Sequence, residues 1–336
     1  MKIVMRLTRL LMLSLFIATG LVAGLGLVLR QPTFGQVPYD NGPRADPERL
    51  RRHVEFLAGE AAPRSWKHSE GLRLSRNYIV DRLGESGLAA KTQKYLAGDT
   101  VQYNVIGRFG KNDQPLVVVG AHYDAFGSMP AADDNASGVA GLLELARLLE
   151  TRELEGSVEL VAYSTEEPPW FGSDRMGSSV HARSLAERGR GVSAMICLEM
   201  IGYFTERQPD QGTLLDTLYP GHGHFVVVAG RWQDRKLTRR FKRAFRGATD
   251  LDVVSYSGPT VVGTDLSDHR NYWIQGWPAV MVSDTAFLRN HNYHCPSDTA
   301  ETLDYGRMAA TVDGVLNVVL DLVNASPDPV LNLSPR

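Results

Sequence analysis

The chain has 336 residues, 43% apolar and 22% charged, the proportions of an ordinary folded protein long enough to bury one large core. A net charge of −2 provides none of the cationic excess that phosphate backbones demand, which argues against a nucleic-acid partner. Its two cysteines, Cys197 and Cys295, are too few for a disulfide framework, and their positions are compatible either with a bond between them or with two separate thiols.

The N-terminus bears on location. Lys2, Arg6 and Arg9 precede an apolar run over 10–29, long enough as a helix to cross roughly 30 Å of hydrocarbon. Cations are denser before this run than after it, so residues 1–30 are read as a single-span anchor that leaves the rest of the chain extracytoplasmic. Ala18, Gly20 and Ala23 keep open a second reading, a signal peptide with a small-residue cleavage site and a secreted product. Residues 31–45, rich in Pro and Gly, read as a tether.

Folded structure is expected from Asp46, an N-cap candidate with Pro47 at the first helical position and Leu50, Val54 and Leu57 at helical spacing. A second helix is expected over 69–85. Strand patterns then fall at 91–96, 103–109, 116–121, 158–163, 194–198, 224–229, 253–256 and 279–282, and helical ones at 138–150, 176–188, 233–245 and 305–324. This alternation predicts one α/β domain over 46–325, a three-layer αβα sandwich with a mixed, mostly parallel central sheet. The break at 205–223 has the length and Pro/Gly content of a lid or binding loop, and 326–336 reads as a tail.

Acidic and imidazole groups gather where strands are expected to end: His122 and Asp124, Asp133 and Asp134, Glu166 and Glu167, then Glu199, Asp268 and His294. In open α/β sheets side chains leaving that edge face a crevice, and this donor mixture suits a hard or borderline divalent cation such as zinc.

The motifs His122-Tyr-Asp124, Asp133-Asp134-Asn-Ala-Ser-Gly138, Glu166-Glu167, Glu199-Met-Ile-Gly202, Ser267-Asp268-His269, Tyr293-His294 and Ser297-Asp298-Thr299 resemble, in content and order, those of the di-zinc aminopeptidases of metallopeptidase family twenty-eight. The resemblance implies two zinc ions per chain: Asp134 bridges them, His122 and Glu199 complete one site, Glu167 and His294 the other. It further implies Glu166 as general base, Asp124 as the partner orienting His122, and Tyr293 as an oxyanion donor. For the last two, a turn aspartate and a packing tyrosine are the plainer alternatives. The implied substrate is a peptide with a free N-terminus, and the only implied membrane contact is through the N-terminal segment. Glu199 stands where many relatives carry aspartate, and Pro168-Pro169-Trp170-Phe171 replaces a glycine- and leucine-rich turn, so specificity does not transfer. Relatives on this fold also include carboxypeptidases, for which Arg207, Arg231, Arg270 and Arg289 would be the carboxylate-binding candidates, and one-zinc glutaminyl cyclases. A non-catalytic ectodomain is the remaining alternative.

Overall fold

The computed structural model of the chain describes residues 2–40, 42–110, 116–260 and 263–324, and the tail expected over 326–336 lies outside them. Helix α1 (Lys2–Arg30) contains a stretch, Thr8–Arg30, of 23 residues with mean hydropathy 2.3, long and apolar enough to cross a membrane. Leu15, Phe16 and Leu21 are exposed on it, as expected of a helix outside the core. Helix α2 (Pro47–Glu55) starts where Asp46 Oδ1 accepts the Glu48 N–H at 2.9 Å, and it buries Leu50 and Val54. Helix α3 (Ser69–Glu85) buries Leu72, Ile79 and Leu83.

In chain order there follow β1 (Lys91–Ala97), β2 (Thr100–Gly110), β3 (Leu116–His122), α4 (Gly138–Leu149), β4 (Ser157–Tyr163), α5 (Gly177–Glu187), β5 (Val192–Leu198), α6 (Leu215–Leu218), β6 (Phe225–Arg231), α7 (Arg235–Ala248), β7 (Asp252–Gly258), α8 (His269–Ile274), β8 (Ala279–Ser283) and α9 (Tyr305–Asn324). The strands form one sheet in the order β1-β2-β4-β3-β5-β8-β6-β7. Its centre, β4-β3-β5-β8, is parallel, whereas β2 and β6 join that centre antiparallel. The sheet is therefore mixed, with the parallel part confined chiefly to the strands that carry the site. Alternation along β3 divides the core: Val117, Val119 and Ala121 face the cluster beneath α2, α3, α4, α7 and α9, while Leu116 and Val118 face the one beneath α5 and α8. Helices thus cover both faces, which explains why β3 is apolar from Leu116 to Ala121 and why every residue of β4 is buried, Glu159 among them with its carboxylate 3.2 Å from His181 Nε2.

Two segments expected to lack regular structure are held by specific hydrogen bonds. The described residues of the stretch 31–45 form no helix or strand but are held fast: Val37 N–H donates to Arg243 O at 2.9 Å, Asn317 Nδ2 to Val37 O at 2.9 Å, and Asp313 Oδ1 accepts the Ala45 N–H at 2.9 Å. The stretch 205–223 contains α6 and packs on 285–288, where Gln208 Nε2 donates to Thr285 Oγ1 at 3.1 Å and Gln211 Nε2 to Leu288 O at 2.9 Å.

Candidate metal centre

Parallel neighbouring strands must end at the same edge of a sheet, about 4.8 Å apart, so β3, β4 and β5 bring His122, the Glu166-Glu167 pair and Glu199 into one crevice. Asp134 enters it from the turn that opens α4, where Asn135 Oδ1 accepts the Gly138 N–H at 3.1 Å and Asn135 Nδ2 donates to Leu198 O at 2.8 Å. Gly138 is required there, since a Cβ would lie 2.4 Å from Asn135 Oδ1 and 2.6 Å from Leu198 O. His294 does not stand at a strand end. It sits in the loop after β8, at φ 55°, with its imidazole between Phe126 and Tyr293, the ring centroids 4.0 and 3.8 Å away. Asp268 likewise precedes α8 rather than ending a strand, and it is fully buried.

The five groups converge. His122 Nε2 is 3.4 Å from Asp134 Oδ1 and 3.4 Å from Glu199 Oε2, while His294 Nε2 is 3.1 Å from Asp134 Oδ2 and 3.3 Å from Glu167 Oε1. Within each triad, His122-Asp134-Glu199 and Asp134-Glu167-His294, the donor atoms all lie within 4.8 Å of one another. Asp134 thus presents one oxygen to each histidine. A tetrahedral zinc with bonds of about 2.1 Å sets its ligand atoms about 3.4 Å apart, so these separations fit such an ion. His294 Nε2 and Glu167 Oε1 are buried yet make no hydrogen bond, a costly state for polar atoms unless something else coordinates them. The donor set therefore fits two metal ions.

Electrostatics follow from packing carboxylates together out of water. Burial and the neighbouring Glu167 and Glu199 charges push the Glu166 carboxyl well above its ordinary range, against the opposing His122. Burial and Asp134 raise Glu167 to about 7. Burial alone would raise Asp134 too, but the adjacent His122 and His294 imidazoles outweigh it and hold the carboxyl below its usual value. Those carboxylates in turn raise His294 to about 9 despite its burial.

The supporting contacts are more specific than the sequence suggests. Asp124 does not give its carboxylate to His122: the Nδ1 bond, 3.1 Å, goes to the Asp124 carbonyl, and the nearer carboxylate oxygen is 3.6 Å away. The Asp124 carboxylate instead accepts the backbone N–H groups of Glu166 and Glu167, each at 3.1 Å, and so fixes the direction of both side chains. Asp298 does the same for Asp133 and Asp134, at 3.0 and 3.2 Å. Ser267 Oγ donates to Glu199 Oε2 at 2.5 Å. Arg64, fully buried, ties the 123–131 loop by donating to Tyr123 O at 3.0 Å and Ala131 O at 2.5 Å. No periodicity or motif singles out Arg64, and only the tandem Ser297-Asp298-Thr299 match hinted at Asp298.

Other candidates are placed elsewhere. Arg231 pairs with Asp234 at 2.9 Å, and buried Arg289 donates Nη1 to Phe225 O at 3.0 Å and Nε to Gln208 Oε1 at 2.7 Å, while its Nη2 is buried without a partner. Cys197 is buried with Sγ 3.1 Å from Ser267 Oγ, and it is not bonded to Cys295.

The model of peptidase family M28 matches residues 104–319. A protein of Escherichia coli (strain K12) named Uncharacterized protein YfbL is 43% identical over 306 residues, spanning 87% of this chain and 93% of its own. Leucine aminopeptidase 1 of Uncinocarpus reesii is 28% identical over 257 residues, 73% of this chain and 61% of that protein. Among solved structures, BSAP, a zinc aminopeptidase from Bacillus subtilis, superposes with TM-score 0.66 at 15% identity, covering 84% of this chain and 97% of that one. A glutaminyl cyclase from Bacteroides thetaiotaomicron does so with TM-score 0.63 at 18% identity, over 85% and 100%. Those two likenesses speak to the fold alone. The family match spans most of the sheet and every converging donor, and on that ground the chain belongs to peptidase family M28.

Proposed function

We propose that the chain is a di-zinc aminopeptidase that removes N-terminal residues from peptides. One observation carries the reading: the two carboxylate oxygens of Asp134 are shared between His122 and His294, and each pair is completed by a further carboxylate, Glu199 or Glu167. His122, Asp134 and Glu199 would hold one ion and Asp134, Glu167 and His294 the other; when bound, zinc acidifies a water and polarises the scissile carbonyl. Glu166, 3.9 Å from His122 Nε2 and with its proton affinity raised, takes the proton of the attacking water and delivers it to the leaving amine. Asp124 acts as the positioning residue that aims Glu166 and Glu167. The Tyr293 hydroxyl donates to the oxygen on which negative charge develops. Residues 46–325 form the catalytic domain, which α1 holds at the extracytoplasmic face of a membrane.

The test is metal content together with hydrolysis of aminoacyl p-nitroanilides by the full chain. Two zinc ions per chain are expected, with activity lost on chelation and restored by zinc. Glu166→Gln should lower kcat by about 10²- to 10⁴-fold with zinc content unchanged. One zinc per chain would favour cyclase chemistry instead, hydrolysis indifferent to chelation would refute the reading, and absence of bound zinc after purification in its presence would favour a non-catalytic ectodomain.

A further inference from the structure

The most strongly charged element of the molecule lies far along the sheet from the metal centre, at the place where α1 leaves its apolar stretch. Helix α7, RKLTRRFKRAFRGA, carries seven cations and no acid in 14 residues. It buries Leu237, Phe241 and Phe245 against the sheet, which turns Lys236, Arg239 and Arg243 outward at helical spacing, with Arg246 half-exposed beyond them. Asp321, paired with Arg240, is the one carboxylate that neutralises a cation of this helix among the described residues. In a chain with net charge −2 this helix is a local excess of positive charge.

The position of that face is fixed by direct bonds. Lys242 Nζ donates to Arg30 O at 2.7 Å and to Gln31 O at 2.6 Å; Ser255 Oγ on β7 donates to Arg30 O at 2.6 Å; and Arg239 Nε donates to Gln31 Oε1 at 2.8 Å. The last residue of the apolar helix is thereby clamped at the middle of α7. At about 1.5 Å per residue, no cation of α7 lies more than about 10 Å along the helix axis from that point, close to the Debye length at physiological ionic strength. Phe34, 88% exposed, projects from the segment that Arg246 holds by donating to Thr33 O at 2.6 Å, and an aromatic ring at that level suits the bilayer interface.

We propose that α7 docks the domain onto anionic phospholipid headgroups of the leaflet from which α1 emerges, with its outward cations on the lipid phosphates. The proposal rests on α1 being retained as a membrane span. Docking would add an electrostatic attachment to the clamp on α1 and hold the sheet with its β7 edge toward the bilayer and its β1 edge on the order of 30 Å away.

The full chain is placed in nanodiscs of phosphatidylcholine alone or with phosphatidylglycerol, and lysine acetylation by a neutral N-hydroxysuccinimide ester is followed by mass spectrometry. Lys236 should be acetylated about fivefold more slowly in the anionic discs, the protection should vanish in high salt, and exposed Lys91 on the distal edge strand should react alike in both. Arg243→Ser, whose side chain makes no hydrogen bond or ion pair among the described residues, should weaken the protection of Lys236 without altering aminopeptidase turnover. Equal labelling of Lys236 in the two discs, with the chain still embedded, overturns the docking. Protection that ignores lipid charge but grows with chain density overturns it in favour of a second copy of the chain. Recovery of chain cleaved near residue 30 and released from the discs overturns the anchor on which it rests, a failure visible in the chain mass before any labelling.

Discussion

Removing the Asp124 carboxylate should disturb the centre without touching a metal ligand. Its two oxygens accept the buried N–H groups of Glu166 and Glu167, each at 3.1 Å, so Asp124→Ala strands two backbone donors where water does not reach. A charge-assisted hydrogen bond is worth roughly 1.5–3 kcal/mol, so the pair contributes on the order of 3–6 kcal/mol. Asp124→Asn keeps one carbonyl acceptor and turns an amide N–H toward the other donor, so its loss should be about half that. The assay is urea unfolding of the chelated chain in detergent, because zinc affinity then cannot contribute to the midpoint. The same variants, reloaded with zinc, should keep KM and lose about 10²-fold in kcat, the effect of a base displaced by about 1 Å. A metal-free Asp124→Ala chain that unfolds within about 0.5 kcal/mol of the parent would refute the clamp, since a solvated turn aspartate is worth no more than that.

Tyr293→Phe preserves the ring stacked at 3.8 Å on His294 and removes only the hydroxyl; kcat should fall about a hundredfold with zinc content unchanged, and a change under twofold would reduce Tyr293 to a packing role. Burial holds the His269 imidazole down at about 4, against its hydrogen bond with Thr264 O at 3.0 Å. The unfolded chain therefore takes up a proton below about pH 6.5 that the folded chain refuses until about pH 4, so stability should drain away across that window on acidification, by about 3 kcal/mol from this residue. Comparing the pH dependence of unfolding for the metal-free parent and His269→Gln isolates the contribution, and parallel curves would contradict it.

Much of the fold and the site could be read before any coordinates. The apolar runs of β3 and of residues 160–163 in β4 and the helical spacing of Leu50 and Val54 in α2 are local signals, since burial on both faces of a strand or on one face of a helix writes itself into residue order. His122, Glu166-Glu167 and Glu199 were legible because each follows such a strand. His294 and Asp268 were legible as residues but not as positions, because the loops that carry them answer to contacts with Phe126 and Tyr293, and to the buried setting before α8, rather than to any period. The antiparallel entry of β6 beside β8 was equally hidden, since strand direction depends on which edge a connection returns to.

The clamps are a separate case. Arg64, Asp124 and Asp298 act by bonding backbone groups of loops that are distant in the chain, and a backbone N–H carries no signature in the side-chain alphabet. The same holds for the segment 31–45, whose composition reads as a tether and whose bonds to α7 and α9 pin it. Residue order alone determined the strands, the helices, the apolar N-terminal run and the inventory of metal donors, because these depend on local burial and on side-chain chemistry. Only the tertiary structure decided which carboxylate oxygen faces which histidine and what the Asp124 carboxylate holds, because those depend on differences of a few tenths of an ångström in the separation of groups that lie far apart along the chain.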